Sequence, residues 1–258
     1  MGFLTEHVAE VRQRLERRPL DAGRLQALAA GLPPARGFAA ALRAASVPAV
    51  IAEVKRSSPS AGPLAEDADA AALARRYEEA GAAAVSVLTE PRHFGGSLAD
   101  LRAVHLAVSV PVLRKDFLVH PDQVLEARVG GADAVLLIVA ALSRSELEAM
   151  LATARDLGLD ALVEVHTEAE LETALRAGAE VIGVNARDLE TLEVDPEGAL
   201  EVLAQVPSDR VAVAESGIST RAQVEAALAA GARAVLVGEA LVRAPDPGVV
   251  LRELRGAA

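Results

Sequence analysis

The chain has 258 residues, which is long for a single domain but within the range of the largest ones. Hydrophobic residues make up 52% of it and aromatic residues only 2%, so aliphatic side chains must form the core. The absence of cysteine excludes disulfides, thiolate metal sites and a cysteine nucleophile. The formal net charge of -11 argues against a nucleic-acid-binding surface, which would be basic.

The amino-terminal segment mixes acidic and basic side chains and contains no apolar stretch typical of a signal peptide. The longest apolar run, residues 134–142, is far too short to span a bilayer. We therefore expect a cytoplasmic protein that has neither a membrane nor a nucleic-acid partner.

The residues before Val47 are expected to form a helical extension. Pro33-Pro34 separates its two longer helical pieces from a short third piece. No linker and no shift in composition divides the rest of the chain. We predict one domain over residues 1–258, with the extension at 1–46 and the main body at 47–258.

A short pattern, a glycine followed by an apolar run, occurs four times in the main body, starting at Gly81, Gly131, Gly178 and Gly231. Glycine suits the end of a helix, and the apolar run predicts a buried strand. One more strand-like run lies between successive copies. The predicted strands are residues 49–55, 83–89, 110–115, 134–138, 161–165, 181–185, 211–215 and 234–237.

Helical segments are predicted between these strands. Residues 143–146 (Ser-Arg-Ser-Glu) and 167–170 (Thr-Glu-Ala-Glu) both fit a capping box at a helix start. Eight strand–helix units predict a (β/α)8 barrel with an N-terminal helical extension. A doubly wound open sheet is the alternative, which the lack of a glycine-rich first turn disfavours.

In a barrel of this kind, function lies at the carboxyl ends of the strands. Lys55 and Lys115 are the only lysines, Asn185 is the only asparagine, and all three fall at predicted strand ends. All other basic residues are arginine, which cannot readily release a proton, whereas lysine can when its pKa is lowered. The location of these rare residues therefore favours a catalytic site at this face.

Two carboxylates are also expected at the carboxyl ends of predicted strands. Alternation puts Glu53 on the same side of the first strand as Lys55, and Glu164 ends the fifth strand. An ion pair that only closes the barrel mouth explains Glu53 alone equally well. For the whole set of charges a function is favoured, because buried charges are costly.

Glycine-containing turns, Ser216-Gly217 and Gly238-Glu239, follow the seventh and eighth strands. Backbone N–H groups at this position of a barrel commonly bind phosphate. Phe94 and Phe117 follow the second and third strands, whereas Phe3, Phe38 and Tyr77 are expected elsewhere. The two strand-end rings suit an aromatic substrate, although ordinary loop packing explains either one alone.

Six segments together resemble the motifs of indole-3-glycerol phosphate synthases. They are residues 53–60 (EVKRSSPS), 88–90 (LTE) with 94–98 (FGGSL), 113–117 (LRKDF), 135–138 (VLLI), 182–191 (IGVNARDLET) and 214–218 (AESGI). The resemblance covers the whole chain, including the extension. It implies a lyase of tryptophan biosynthesis that converts 1-(2-carboxyphenylamino)-1-deoxyribulose 5-phosphate to indole-3-glycerol phosphate, CO2 and water, without metal or organic cofactor.

The resemblance also implies catalytic roles. Lys115 would be the general acid that protonates the ribulose carbonyl oxygen, and Glu164 the general base of the later dehydration. Lys55 would hold the anthranilate carboxylate or share the acid role. Glu53 would orient Lys115 and a substrate hydroxyl, and Asn185 is assigned to the catalytic group as well.

The implied substrate contacts form three groups. Asn185 and Arg187 would bind the sugar and fix neighbouring carboxylates, and Glu215 is a further expected contact. The phosphate would be surrounded by Ser58, Ser216, Gly217, Gly238 and Glu239. The ring pocket would be walled by Phe94, Phe117, Leu136 and Leu189. Relatives often carry a small hydroxyl residue at position 239, so we expect Glu239 to offer only its backbone N–H and to turn its side chain away.

The sequence argues against two alternative functions. A phosphoribosylanthranilate isomerase would need a cysteine and aspartate pair, and this chain has no cysteine. A catalytically inactive barrel kept as a binding subunit would not need Lys115 and Glu164, and both are present. We expect one phosphorylated small molecule as the substrate and a monomer or weak homodimer as the active form.

Overall fold

The computed structural model describes residues 2–46, 48–59, 62–65 and 68–256. Val47, at the expected start of the main body, and Ser60, the last residue of the 53–60 motif, lie outside these ranges.

The strands close into a parallel barrel among the described residues. They are β1 (Ala49–Val54), β2 (Ala84–Leu88), β3 (Val112–Lys115), β4 (Ala134–Ile138), β5 (Asp160–Val165), β6 (Val181–Asn185), β7 (Val211–Glu215) and β8 (Ala234–Val237). Each strand pairs with its neighbours in chain order, and β1 also pairs with β8, where Ala49 lies opposite Ala234. The predicted barrel is therefore confirmed, and the open sheet is wrong because the sheet has no free edge.

Four of the eight strands have the predicted bounds, and the other four differ from the prediction by one or two residues. The largest difference is at β3, which begins at Val112 rather than at residue 110. Pro111 has no N–H to donate to a neighbouring strand, although its carbonyl accepts a hydrogen bond from the N–H of Val85 at 3.0 Å.

Helices surround the barrel and precede it. The extension contains α1 (Phe3–Arg17), α2 (Ala22–Ala30) and α3 (Phe38–Ala44). The barrel helices are α4 (Ala70–Glu79), α5 (Leu98–Ala107), α6 (Pro121–Gly130), α7 (Arg144–Asp156), α8 (Glu168–Arg176), α9 (Pro196–Leu203), α10 (Arg221–Ala229), α11 (Glu239–Arg243) and α12 (Pro247–Arg255). A 3-10 turn at Val139–Ala141 follows β4, and a small hairpin joins Ser57–Ser58 to Gly62–Pro63.

The expected helix signals are present with one difference. The four repeated glycines all have positive φ, at 91°, 97°, 82° and 102° in chain order. Ser143 and Glu146 form the full capping box at the start of α7. At α8 the Thr167 side chain accepts the N–H of Glu170, but the Glu170 carboxylate accepts the N–H of His166 rather than that of Thr167. The second predicted capping box is therefore only half formed.

The amino-terminal end of the barrel is closed by α3. Phe38 and Leu42 are fully buried among the residues that begin the strands. The N–H of Ala39 also donates to the carboxylate of Asp160, the first residue of β5, at 2.8 Å. Since this end is filled, the carboxyl end is where a ligand can enter.

At that opposite end, α1 packs against the loop that follows β6. The N–H groups of Phe3 and Leu4 donate to the carbonyl groups of Glu190 and Leu189 at 3.2 and 3.0 Å. The extension therefore contacts both ends of the barrel. None of the helices in the described ranges is long and apolar enough to cross a lipid bilayer.

Candidate active site

A cavity of about 970 Å³, open to solvent, lies at the carboxyl ends of the strands. Fifteen of the sixteen residues predicted for the site line it: Glu53, Lys55, Ser58, Phe94, Lys115, Phe117, Leu136, Glu164, Asn185, Arg187, Leu189, Ser216, Gly217, Gly238 and Glu239. Residues from distant parts of the sequence are therefore brought together as expected from the barrel.

Lys115, the last residue of β3, is held between two carboxylates in the barrel mouth. Its Nζ lies 2.8 Å from Oε2 of Glu215 and 3.3 Å from Oε2 of Glu53. Burial alone would lower the pKa of Lys115, but the charges of Glu215, Glu53 and Glu164 raise it above its ordinary value. The ammonium group is therefore charged, fixed in place and in contact with the cavity.

Glu53 bridges the two lysines. Its Oε1 lies 2.9 Å from Nζ of Lys55, while its other oxygen faces Lys115. Burial would raise the pKa of Glu53, but the two lysines lower it to about 2. A β-carbon at Gly238 would overlap this carboxylate, so only glycine on β8's carboxyl side leaves room for it.

Glu215, the last residue of β7, contacts Lys115 from inside the barrel, away from the cavity. It does not line the cavity, and its predicted substrate contact stays a prediction, because in the structure the carboxylate contacts Lys115 instead. Its Oε1 is buried and has no hydrogen-bond partner among the described residues. Burial raises its pKa to about 7 although Lys115 opposes this. The side chain fits because Gly183 on β6 has no β-carbon to overlap it.

Glu164 and Asn185 face the cavity from β5 and β6. Asn185 donates from Nδ2 to Oε1 of Glu164 at 3.0 Å. The backbone N–H of Arg187 donates to Oδ1 of Asn185 at 3.0 Å, which fixes the orientation of the amide. Asn185 therefore holds a neighbouring carboxylate, as the resemblance implied.

The expectation that Arg187 also fixes a neighbouring carboxylate is wrong in this structure. Its guanidinium donates to the carbonyl oxygen of Leu192 at 2.8 Å and pairs with no carboxylate in the described parts of the chain. This bond ties Arg187 to the loop after β6, where Asp188 accepts the N–H groups of Glu190 and Thr191. This bond uses one of the five N–H donors of the guanidinium.

The expected phosphate end combines two turns. Ser216 and Gly217 both have positive φ, 63° and 70°, which is unusual for a serine and occurs mainly where a site requires it. Gly238 precedes α11, whose first N–H groups have no partner within the helix. Oε1 of Glu239 accepts from Nε of Arg243 at 2.9 Å, so its side chain follows its own helix, as expected.

The apolar wall of the cavity includes a residue that the sequence assigned elsewhere. Phe3 lines the cavity, and its ring centroid lies 6.1 Å from that of Phe117. Phe94 lies 6.3 Å from the same ring. The expectation for Phe3 was wrong because it precedes the first strand by more than forty residues and only the docking of α1 brings it here.

Eight further residues that line the cavity were not predicted from the sequence. They are Pro59, Leu88, Asp116, Ile138, Leu192, Ile218, Leu236 and Val237. Several end strands or follow them directly, so strand position could have found them. Leu192 carries no such signal, since it lies in an irregular loop. In the described ranges, no three His, Asp or Glu side chains are grouped as ligands for a metal ion.

Comparisons with known proteins identify a family that matches this chain. A family model of indole-3-glycerol phosphate synthase matches residues 3–254. The synthase of Mycobacterium avium is 56% identical over 230 residues, covering 89% of this chain and 84% of the relative. The synthase of Micrococcus luteus is 53% identical over 263 residues, covering 100% of this chain and 98% of the relative.

Solved structures extend the comparison to the fold. A 3-hexulose-6-phosphate synthase from Salmonella typhimurium superimposes with a TM-score of 0.66 at 16% identity, covering 80% of this chain and 96% of that one. At this level of identity the similarity concerns only the fold.

Proposed function

Because the chain belongs to the indole-3-glycerol phosphate synthase family, we propose how its residues carry out the ring-closing reaction of that family. The enzyme is a carboxy-lyase of tryptophan biosynthesis that converts 1-(2-carboxyphenylamino)-1-deoxyribulose 5-phosphate to indole-3-glycerol phosphate, CO2 and water. The observation that carries the proposal is Lys115, which lines the cavity and is held there by Glu53 and Glu215.

Lys115 acts as the general acid of ring closure. The ring carbon that bears the carboxylate attacks the ketone carbon, and the ketone oxygen becomes an alkoxide as the bond forms. A developing alkoxide is a much stronger base than a ketone oxygen, so it can take a proton even from an ammonium with a raised pKa. CO2 then leaves and the ring recovers its aromaticity.

Glu164 acts as the general base of the dehydration that follows. A hydroxyl leaves as water, and Glu164 takes the proton whose loss forms the double bond of the indole. Support comes from its position on β5, two strands from Lys115 in the same barrel mouth, and from Asn185, which occupies one of its oxygens. No bond from a described residue is donated to the other oxygen, Oε2, which can face the substrate.

Lys55 holds the anthranilate carboxylate and can supply a proton to the leaving hydroxyl. Glu53 keeps this lysine and Lys115 apart and in place, since it bonds one with each oxygen. When substrate binds, its carboxylate and hydroxyl groups compete with Glu53 for the ammonium groups of Lys55 and Lys115. Glu53 therefore orients Lys115 and one substrate hydroxyl.

The ends of the substrate lie in two different environments. The phosphate takes the N–H groups of the turns at Ser216-Gly217 and Gly238-Glu239, with Ser58 nearby. The aromatic ring packs against Phe94, Phe117, Leu136 and Leu189. We propose that neither metal nor organic cofactor takes part. We also propose a monomer or a weak homodimer as the active form.

The proposal is tested by mixing the purified protein with this substrate in the presence of a chelator and following indole fluorescence. We expect fluorescence to rise with the wild type and not with Lys115→Ala. Arg144→Ala removes an exposed cation on α7 and serves as the control that should keep wild-type turnover. Absence of a rise with folded wild-type protein would remove the proposed reaction, and a rise that requires metal would remove cofactor independence.

A further inference from the structure

His166 is a buried titratable side chain that the proposed reaction does not use. It follows β5 directly and lies two residues after Glu164, so both side chains project from the same side of the chain. The imidazole is only 13% exposed and does not line the cavity. It therefore lies behind the general base rather than against the substrate.

One side of the ring is fixed by α8. Nδ1 of His166 lies 3.2 Å from Oε2 of Glu170, and the same oxygen accepts the backbone N–H of His166 at 2.8 Å. The backbone bond already satisfies this end of the helix together with the Thr167 cap. The imidazole is therefore not needed for capping α8, and its position calls for another explanation.

The other side of the ring faces Glu164. Nε2 of His166 lies 3.5 Å from Oε1 of Glu164, the oxygen that also accepts from Asn185. Nε2 is buried and has no hydrogen-bond partner among the described residues. A small rotation of either side chain would close this gap, so Oε1 is placed between two donors while Oε2 stays available.

The charges around the ring favour its protonated form. Burial alone would lower the pKa of His166, but the hydrogen bond to Glu170 and the charges of Glu164, Glu170 and Glu215 raise it. The pKa of Asp188, in the loop after β6, is lowered chiefly by the hydrogen bond from the backbone N–H of Thr191, and the charge of His166 adds a smaller effect. A cation at this place attracts the Glu164 carboxylate, which adds to the contact between Nε2 and Oε1.

We propose that His166 is a positioning residue for the reaction: anchored by Glu170, it holds Oε1 of Glu164, with Oε2 directed at the substrate. The inference rests on the proposed role of Glu164 as the general base. It adds two residues, His166 and Glu170, that do not touch the substrate but act on a group that does.

The first test measures the contact itself and does not require activity. The imidazole of His166 is titrated by NMR, with its signal assigned by its loss in His166→Gln. We expect its pKa to fall in Glu164→Gln and in Glu170→Gln. Glu168→Gln removes a carboxylate from the same first turn of α8, where it contacts Gln205, and should leave the His166 pKa unchanged. A titration unaffected by Glu164→Gln would overturn the proposal.

The second test measures the effect on turnover. His166→Leu should lower kcat roughly 10-fold with KM nearly unchanged, less than the ~10²-fold or more expected from loss of the base itself. His166→Gln retains a donor that can reach Glu164, so it should recover most of this loss, while the pH profile of kcat changes because the new donor does not titrate. If His166→Leu does not fold, Glu170→Gln and His166→Gln carry the test.

The outcomes are distinguishable. No turnover by the wild type means that the proposed function fails, whatever the variants do. Wild-type turnover with an unchanged kcat and pH profile in His166→Leu means that the function stands and the positioning role does not. An equal loss of kcat in Glu168→Gln would show that any change at the start of α8 has this effect, and would also overturn the proposal.

Discussion

Lys115 shows why one cation type cannot replace another in this site. Its compact ammonium group fits between Glu53 and Glu215 and still contacts the cavity. A guanidinium is planar, larger and does not give up a proton under ordinary conditions. The chain uses arginine nearly everywhere else, so the two lysines mark places where a transferable proton or a point charge is needed.

This difference gives a direct prediction. Lys115→Arg keeps the positive charge but removes the usable proton, so we expect kcat to fall at least ~10²-fold, the low end for general acid catalysis. The measurement is steady-state turnover under saturating substrate. Near-wild-type kcat would contradict the assignment of Lys115 as the acid.

The carboxyl group of Glu215 predicts a pH dependence. Burial raises its pKa to about 7, so the group is mostly neutral below that pH and ionised above it. Only the ionised form pairs fully with Lys115. We therefore expect kcat/KM to rise with pH through about 7, and we expect this rise to be absent in Glu215→Gln, which stays neutral. The same rise in both proteins would mean that another group titrates.

At the scale of elements, α1 and the loop after β6 form one wall of the site. Two backbone hydrogen bonds join them, and Phe3 lies at their junction with its ring against the cavity. Because Leu189 and Leu192 belong to the same loop, the docking of α1 also fixes part of the apolar lining. The extension is therefore part of the cavity wall as well as part of the fold.

Truncation of this wall should weaken binding of the aromatic ring. Phe3→Ala removes apolar surface worth about 1.5–3 kcal/mol when fully buried, and Phe3 is partly exposed, so we expect KM to rise about 5- to 30-fold with a smaller change in kcat. Phe3→Leu keeps most of the apolar area and should stay close to the wild type. Steady-state kinetics gives KM and kcat for both variants. An unchanged KM in Phe3→Ala would exclude a role of Phe3 in substrate binding.

At the scale of the whole molecule, the two ends of the barrel have different tasks. The amino-terminal end is filled by α3 and contributes stability, whereas the carboxyl end holds charged groups that favour function. The buried charges of the site are costly to the folded state. Burial of large side chains such as Phe38 at the other end helps to offset that cost.

Stability and activity should therefore separate. Phe38→Ala leaves a cavity in the core and should lower the free energy of unfolding by about 3–5 kcal/mol. Because Phe38 lies at the far end of the barrel, kcat at a temperature where the variant is folded should remain that of the wild type. Denaturant unfolding and kinetics test both parts, with Phe38→Leu as the milder control. A large loss of kcat in the folded variant would contradict this separation.

Local patterns in the sequence determined the eight strands and their order. Buried parallel strands are apolar on both faces, so they appear as continuous apolar runs bounded by helix-ending glycines. In a barrel these strands can only end on one face, which is why Lys55, Lys115 and Asn185 could be placed together before any distance was known.

Tertiary structure decided what the sequence left open. It brought Phe3 to the cavity wall through the docking of α1, paired Glu215 with Lys115, and bound Arg187 to its own loop. It also placed His166 against Glu164. These outcomes depend on contacts between residues far apart in the chain and on which polar partner is nearest in three dimensions. A periodic pattern records only which side of an element a residue occupies, so it cannot contain that information.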